Sequence, residues 1–168
     1  MTEPYDPDGT VAEALARYFE ANGWSPAVYD EPYTEFWLWR FRIRFPNTPR
    51  HRLAIRLHDL HHCVTGYGTD FVGEWEVSAW ELRRGVRTLG LYVASIVCLG
   101  AVSGFLLAPR RTLRAWRAGK GPSLFDDLDS YEELLALPLR ELRARLGVPP
   151  EGLTVGGFHR DAPARAMG

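Results

Sequence analysis

From Leu89 to Ala108 the chain runs twenty residues without a charge, and any fold has to hide that stretch or use it. As a helix it would be about 30 Å long, enough to cross a bilayer. Gly100 and Gly104 stand at Gly-x-x-x-Gly spacing, which lets another helix approach closely. Arginines flank both ends, so they give no orientation signal. The stretch is also rich in Gly, Ala and Ser, and a central core helix buried on all sides explains it as well as membrane insertion does.

A second stretch carries the chemistry. Residues 56–74 read Arg-Leu-His-Asp-Leu-His-His-Cys-Val-Thr-Gly-Tyr-Gly-Thr-Asp-Phe-Val-Gly-Glu. With the run through His62 helical, His58 and His62 lie about 40° apart and one turn apart, and Asp59 sits on the adjoining edge. Glu74 cannot join them on one straight helix, because at about 1.5 Å per residue it would lie roughly 24 Å from His58. Gly66-Tyr67-Gly68-Thr69 offers a reversal. A second helix, capped by Thr69 or Asp70 and running to about Arg84, can then bring Glu74 back opposite the histidines. Two neutral imidazoles and two carboxylates suit zinc, ferrous iron or manganese.

The same periodicity sorts the neighbours. Glu74, Val77, Ser78 and Glu81 share one face of the second helix, so Glu81 is expected to help the site through water or a histidine ring. Glu76 and Trp80 share another face, and Glu76 is expected to face solvent. His51 lies roughly 10 Å along the axis from His58 and reads as an entrance or supporting residue. His61 points about 100° from His62 and reads as exposed or structural, and Cys63 points away as well.

The pattern His58-Asp59-x-x-His62, then eleven residues, then Glu74 resembles the signature of the fourth coenzyme Q (ubiquinone) biosynthesis protein family. Ala115-Trp116-Arg117-x-Gly119, and Pro138-Leu139-Arg140-Glu141-Leu142-Arg143 with Leu146-Gly147-Val148, resemble that family's C-terminal half, so the likeness covers roughly residues 52–148. The family's N-terminal Pro-x-x-Ser-Leu-Gly stretch is not found. The resemblance implies an essentially all-helical fold with the 89–108 helix packed inside it. It implies His58, Asp59, His62 and Glu74 as ligands to a divalent metal, zinc or iron, with manganese as a third choice. It further implies a metal-dependent decarboxylase or oxidase acting on a prenylated aromatic quinone precursor, with other biosynthesis enzymes as partners. The general acid or base is left open, with Glu81, Tyr67 and His51 as candidates. Two other readings stay open: a non-catalytic lipid- or isoprenoid-binding scaffold, and a relative recruited to oxidation or cyclisation in secondary metabolism.

Composition narrows the setting. The 168 residues fit one domain able to bury a core. The net charge is −1, yet residues 82–120 hold seven arginines and a lysine with no acid, while residues 1–36 hold eight acids and one base. Internal pairing of these segments is expected, with contact of the arginines with anionic lipid as the alternative. The near-neutral total and the lack of a nucleic-acid motif argue against nucleic acid as partner. Cys63 and Cys98 show neither metal spacing nor a disulfide framework. The N-terminus has no apolar segment of a secretory signal and no Arg-rich transit pattern, so a bacterial cytoplasmic setting is expected, peripheral at the inner membrane if lipid is touched.

In chain order, Thr10-x-x-Glu13 is a capping box that opens an amphipathic helix ending at Gly23. Glu35–Phe45 alternates, with Trp37, Trp39, Phe41, Ile43 and Phe45 on one parity and Arg40, Arg42 and Arg44 on the other, and reads as a strand or extended segment. Short helices are expected over Arg110–Ala118, over Tyr131–Leu137 from a start at Asp129 or Ser130, and over Leu139–Leu146. The expected fold is mainly α. One helical domain spans residues 1–148, antiparallel site helices surround a central apolar helix, and residues 149–168, with an incidental His159, form a flexible tail.

Overall fold

Thr10 opens the first helix as its spacing dictates. Its hydroxyl accepts from the Glu13 N–H, and Glu13 Oε2 accepts from the Thr10 N–H at 2.7 Å. The helix, α1 (Val11–Asn22), buries Val11, Ala14, Leu15, Tyr18 and Phe19. The structure is a computed structural model and describes residues 5–38, 41–126 and 130–154. Among them α1 is followed by α2 (Pro49–Thr65), α3 (Phe71–Arg84), α4 (Gly90–Leu107), α5 (Pro109–Ala118), α6 (Tyr131–Ala136) and α7 (Leu139–Arg145). The chain is a mainly helical single domain, and side chains from α1 through α7 share one core.

The alternating stretch forms two strands rather than one. β1 (Tyr33–Leu38) pairs antiparallel with β2 (Phe41–Pro46), and the register sets Glu35 opposite Arg44. Glu35 accepts from Arg44 Nε at 2.8 Å and from Arg42 Nη1 at 3.5 Å. The register pairs Phe36 with Ile43 and Trp37 with Arg42, so residues of opposite parity stand opposite one another, and the single-parity apolar face expected over Glu35–Phe45 does not continue from β1 into β2. Trp39, Arg40, Asp129 and His159 lie outside the described residues.

The uncharged helix α4 is not buried on all sides. Val93, Val97, Ala101 and Gly104 are buried, whereas Leu91 is 89%, Leu106 76% and Leu107 70% exposed. Leu91, Leu99, Val102 and Leu106 fall within about 80° of arc, opposite the buried stripe. The cause is tertiary: α3 and α5 pack on one side of α4. A helix that is apolar all round has no amphipathic phase to announce which side that will be. Gly100 and Gly104 face inward. A Cβ on Gly104 would stand 2.6 Å from Thr112 Oγ1 and 2.7 Å from Trp75 Cβ, and one on Gly100 would run into Ser78. The glycine spacing therefore serves close packing within the molecule.

The C-terminal motif closes the end of α2. Arg143, buried on α7, donates Nε to Val64 O at 3.0 Å and Nη2 to Cys63 O at 3.2 Å. A cation on the last carbonyls of a helix answers both their unpaired oxygens and the helix dipole. Arg143 also donates to the Pro150 carbonyl. Leu153 N–H donates to Thr65 O and Thr154 Oγ1 to Gly66 O, each at 2.8 Å. The stretch expected to begin the flexible tail is thus bonded to the domain through residue 154.

This arrangement separates two kinds of substitution on α4. Val97→Asp should cost about 3 kcal/mol or more, because it buries an unpaired charge, while Leu91→Asp and Leu99→Asp should stay within about 0.5 kcal/mol. Chemical denaturation measures all three. Comparable losses at Leu99 would mean that the outer face is covered.

Candidate metal centre

Thr48 caps α2, accepting from the His51 N–H, and Pro49 occupies its first turn. Gly66 ends it, and its N–H donates to His62 O at 2.8 Å. The chain then returns at once. Asp70 Oδ1 accepts from the Gly73 N–H at 2.6 Å as the N-cap of α3. A Cβ on Gly73 would run into the Gly68 carbonyl, so only glycine lets the first turn of α3 close on the loop. This close return sets Glu74 beside α2.

Three of the expected residues converge. Glu74 Oε2 lies 3.1 Å from His58 Nε2, and Glu74 Oε1 lies 3.3 Å from His62 Nε2. The two Nε2 atoms are 3.1 Å apart. The other ring nitrogens are held from behind: His58 Nδ1 is 2.8 Å from Glu81 Oε1, and His62 Nδ1 is 3.0 Å from Tyr67 O. A carboxylate and a carbonyl only accept, so each neutral imidazole carries its hydrogen on Nδ1. Both Nε2 lone pairs then face one another and the Glu74 oxygens, and such a set is stable only around a cation or a proton. An imidazole with Nδ1–H fastened and Nε2 free is the form in which histidine binds metals. One donor atom each from His58, His62 and Glu74 lies within 4.8 Å of the others, and the cluster could hold a metal ion. Two imidazole nitrogens and a carboxylate suit zinc or ferrous iron.

The electrostatics point the same way. Burial alone would lower the His58 pKa, but Glu81 and Glu74 on its two nitrogens hold it well above the usual imidazole range. Burial alone would raise both carboxylates, yet the facing imidazoles hold Glu74 far below its ordinary value and Glu81 at about 2. A pocket that keeps two carboxylates charged and favours an imidazolium also favours a divalent cation in its place.

The expected fourth ligand is not in the cluster. Asp59 Oδ1 accepts from Tyr18 OH at 3.0 Å and Asp59 Oδ2 from Tyr29 OH at 2.6 Å. One residue after His58 is a rotation of about 100°, which turns Asp59 toward α1 while the histidines turn toward α3. Burial pushes its pKa up against the pull of His58 and the tyrosines. Asp59 supports the site from behind: the Tyr18 ring it fixes stacks on His62, with centroids 5.6 Å apart and planes at 27°.

Glu81 acts through a histidine ring, as its helical phase predicts. The acid–base candidates fare differently. Glu81 is fully buried and bound by both His58 and His61, whose Nδ1 lies 2.7 Å from Glu81 Oε1. His51 bonds Pro46 O at 3.2 Å and packs on Tyr92, so it fastens the junction of β2 and α2. Tyr67 meets the site through its carbonyl, and burial keeps its phenol protonated. Glu76 does not face solvent. It is buried and accepts from Arg111 Nε at 3.0 Å and Nη2 at 2.6 Å, which ties α3 to α5. The helical phase of α3 could not foresee that partner. His61, expected to be exposed or structural, is buried and braces Glu81; its signal was a third histidine beside the ligand pair, one step round toward the interior.

Comparison with known protein families, with curated proteins and with solved structures returned no match for this chain.

Two substitutions test the roles assigned here. Glu81→Gln should weaken metal binding about ten- to hundredfold without moving a ligand. Asp59→Asn should leave the ion bound and lower stability by about 1–3 kcal/mol, because it disturbs a buried tyrosine-bonded carboxylate. Competition with a chelator reads the first and thermal unfolding the second. Loss of the ion from a folded Asp59→Asn variant would make Asp59 a ligand.

Proposed function

We propose that this chain is a divalent-metal protein of the kind that the ubiquinone-biosynthesis signature marks, zinc- or iron-dependent, acting on a prenylated aromatic acid. The reaction it would carry out replaces the ring carboxylate with a hydroxyl: the carboxylate leaves as CO₂, water supplies the ring oxygen, and O₂ takes up the two electrons and is reduced to hydrogen peroxide. The observation that carries the reading is the convergence of His58 Nε2, His62 Nε2 and Glu74, in the motif's own order and spacing, within one 4.8 Å cluster. A bound divalent ion would supply Lewis acidity toward the substrate's carboxylate or phenolate and a site for activating water or O₂.

The chain's own residues divide the remaining work. Glu81 and the Tyr67 carbonyl fix the imidazole tautomers. His62, with no side-chain exposure, forms the floor, while His58 at 23% and Glu74 at 31% form the open side where a polar head group can arrive. Partners among other biosynthesis enzymes and a cytoplasmic setting belong to the same proposal.

The exposed outer face of α4 favours a second reading, a scaffold that binds isoprenoid or lipid without chemistry. On this reading the greasy body of a ligand would lie along that face of α4.

The test uses metal-loaded protein and a prenylated hydroxybenzoate under air. The melting temperature should rise, the rise should shrink in His62→Ala, and mass spectrometry should show CO₂ release with oxygen gained on the ring. Stabilisation without CO₂ release supports the scaffold. If neither prenylated nor short aromatic acids stabilise the protein, the quinone-precursor assignment gives way to metal-dependent oxidation or cyclisation of another small molecule.

A further inference from the structure

The outer stripe of α4 is an apolar surface with a basic frame. Leu91, Leu99, Val102, Leu106 and Leu107 are 53–89% exposed along a helix of 18 residues, about 27 Å long. Soluble chains seldom leave so continuous an apolar stripe uncovered unless something docks on it. Around it stand exposed cations: Arg87 before the N-terminus of α4, Arg83 beside Trp116 of α5, Arg110, Arg114 and Arg117 on α5, and Lys120 just beyond it. Residues 82–120 contain no acid, and Glu76, the carboxylate of α3 that reaches α5, is already paired with Arg111. Phe105 and Trp116 meet at the corner between α4 and α5, with ring centroids 6.0 Å apart, and Arg83 lies over Trp116. Leucines on one face, arginines at the rim and a tryptophan at the boundary are the elements of a helix that lies in a lipid headgroup layer.

We propose that the outer face of α4, with the exposed edge of α5, docks on an anionic lipid bilayer with α4 parallel to the membrane plane. The charge pattern selects this occupant. A second copy of the chain on the same face would set an acid-free basic surface against itself, with like charges meeting at both ends in either orientation. A transmembrane span is incompatible with the packing, since the inner face of α4 is closed by α3, which carries Glu74, Glu76 and Glu81. A flat orientation leaves that packing intact, buries the leucines in the acyl boundary and brings the arginines to the phosphates. The proposal goes beyond the metal reading and does not depend on it, because the surface contains no cluster residue.

Vesicle sedimentation tests it, with the intact chain and vesicles of phosphatidylcholine alone or with about one third phosphatidylglycerol. The protein should bind the anionic vesicles at least tenfold more tightly, with or without a chelator, and lose most of that preference between about 0.05 and 0.5 M salt. Leu99→Glu with Leu106→Glu, and separately Arg110→Glu with Arg117→Glu, should each weaken binding about tenfold or more while circular dichroism and melting temperature stay as in the wild type. Equal binding to both vesicles, or binding untouched by either pair, overturns the proposal. So does a dimer in lipid-free solution that Leu99→Glu dissociates, which would assign the face to a second copy. Retention in membranes after alkaline extraction would assign it to a span.

Discussion

His58 is gripped on both ring nitrogens by one helix. Glu74 meets Nε2 and Glu81, two turns further along α3, meets Nδ1. A slip of α3 by one turn, about 5.4 Å, would undo both contacts. Glu81 has no side-chain exposure, and a buried carboxylate without its imidazoles would be strongly destabilising. The placement of α3 is thus all or nothing. Asp70 as its cap and Gly73 against the Gly68 carbonyl shorten the return enough to permit it. On its far side α3 then receives α4 through Gly100 and Gly104, and α5 through Glu76 and Arg111. The later helices are hung on an element that His58, with His61 on Glu81 and His62 on Glu74, ties to α2.

The supports of the cluster differ in kind. Behind His58 stands a charged network, Glu81 shared with His61. Behind His62 stand a neutral carbonyl and the Tyr18 ring, itself held by Asp59. Both fasten Nδ1, so both leave Nε2 for a ligand. A metal here would couple to folding, since it bridges the two helices whose register the cluster sets.

What the sequence made legible was local phase. The one-turn spacing of His58 and His62, the break at Gly66, the cap at Asp70 and the reach of Glu81 to a histidine ring all follow from rotation along a single helix. What it concealed depended on neighbours from elsewhere in the chain. Asp59 turns to Tyr18 and Tyr29 because α1 and the turn Pro26–Asp30 happen to lie there. Glu76 is buried because α5 brings Arg111 across it. The outer stripe of α4 is exposed because α3 and α5 cover only one side of a helix with no polar face to mark the other. The hairpin escaped notice because the alternation of Glu35–Phe45 reads as one strand, whereas pairing across the sheet sets odd residues of β1 opposite even residues of β2.

The central claim is that His58, His62 and Glu74 close around one divalent ion while Glu81 and the Tyr67 carbonyl hold the imidazoles from behind. Anomalous diffraction from crystals of protein reconstituted with zinc, iron or manganese tests it most directly. The account predicts one peak per chain, about 2.0–2.2 Å from His58 Nε2, His62 Nε2 and a Glu74 oxygen, with both Nδ1 contacts kept. No peak with any of the three metals, or a peak ligated by Asp59 in place of Glu74, would contradict it.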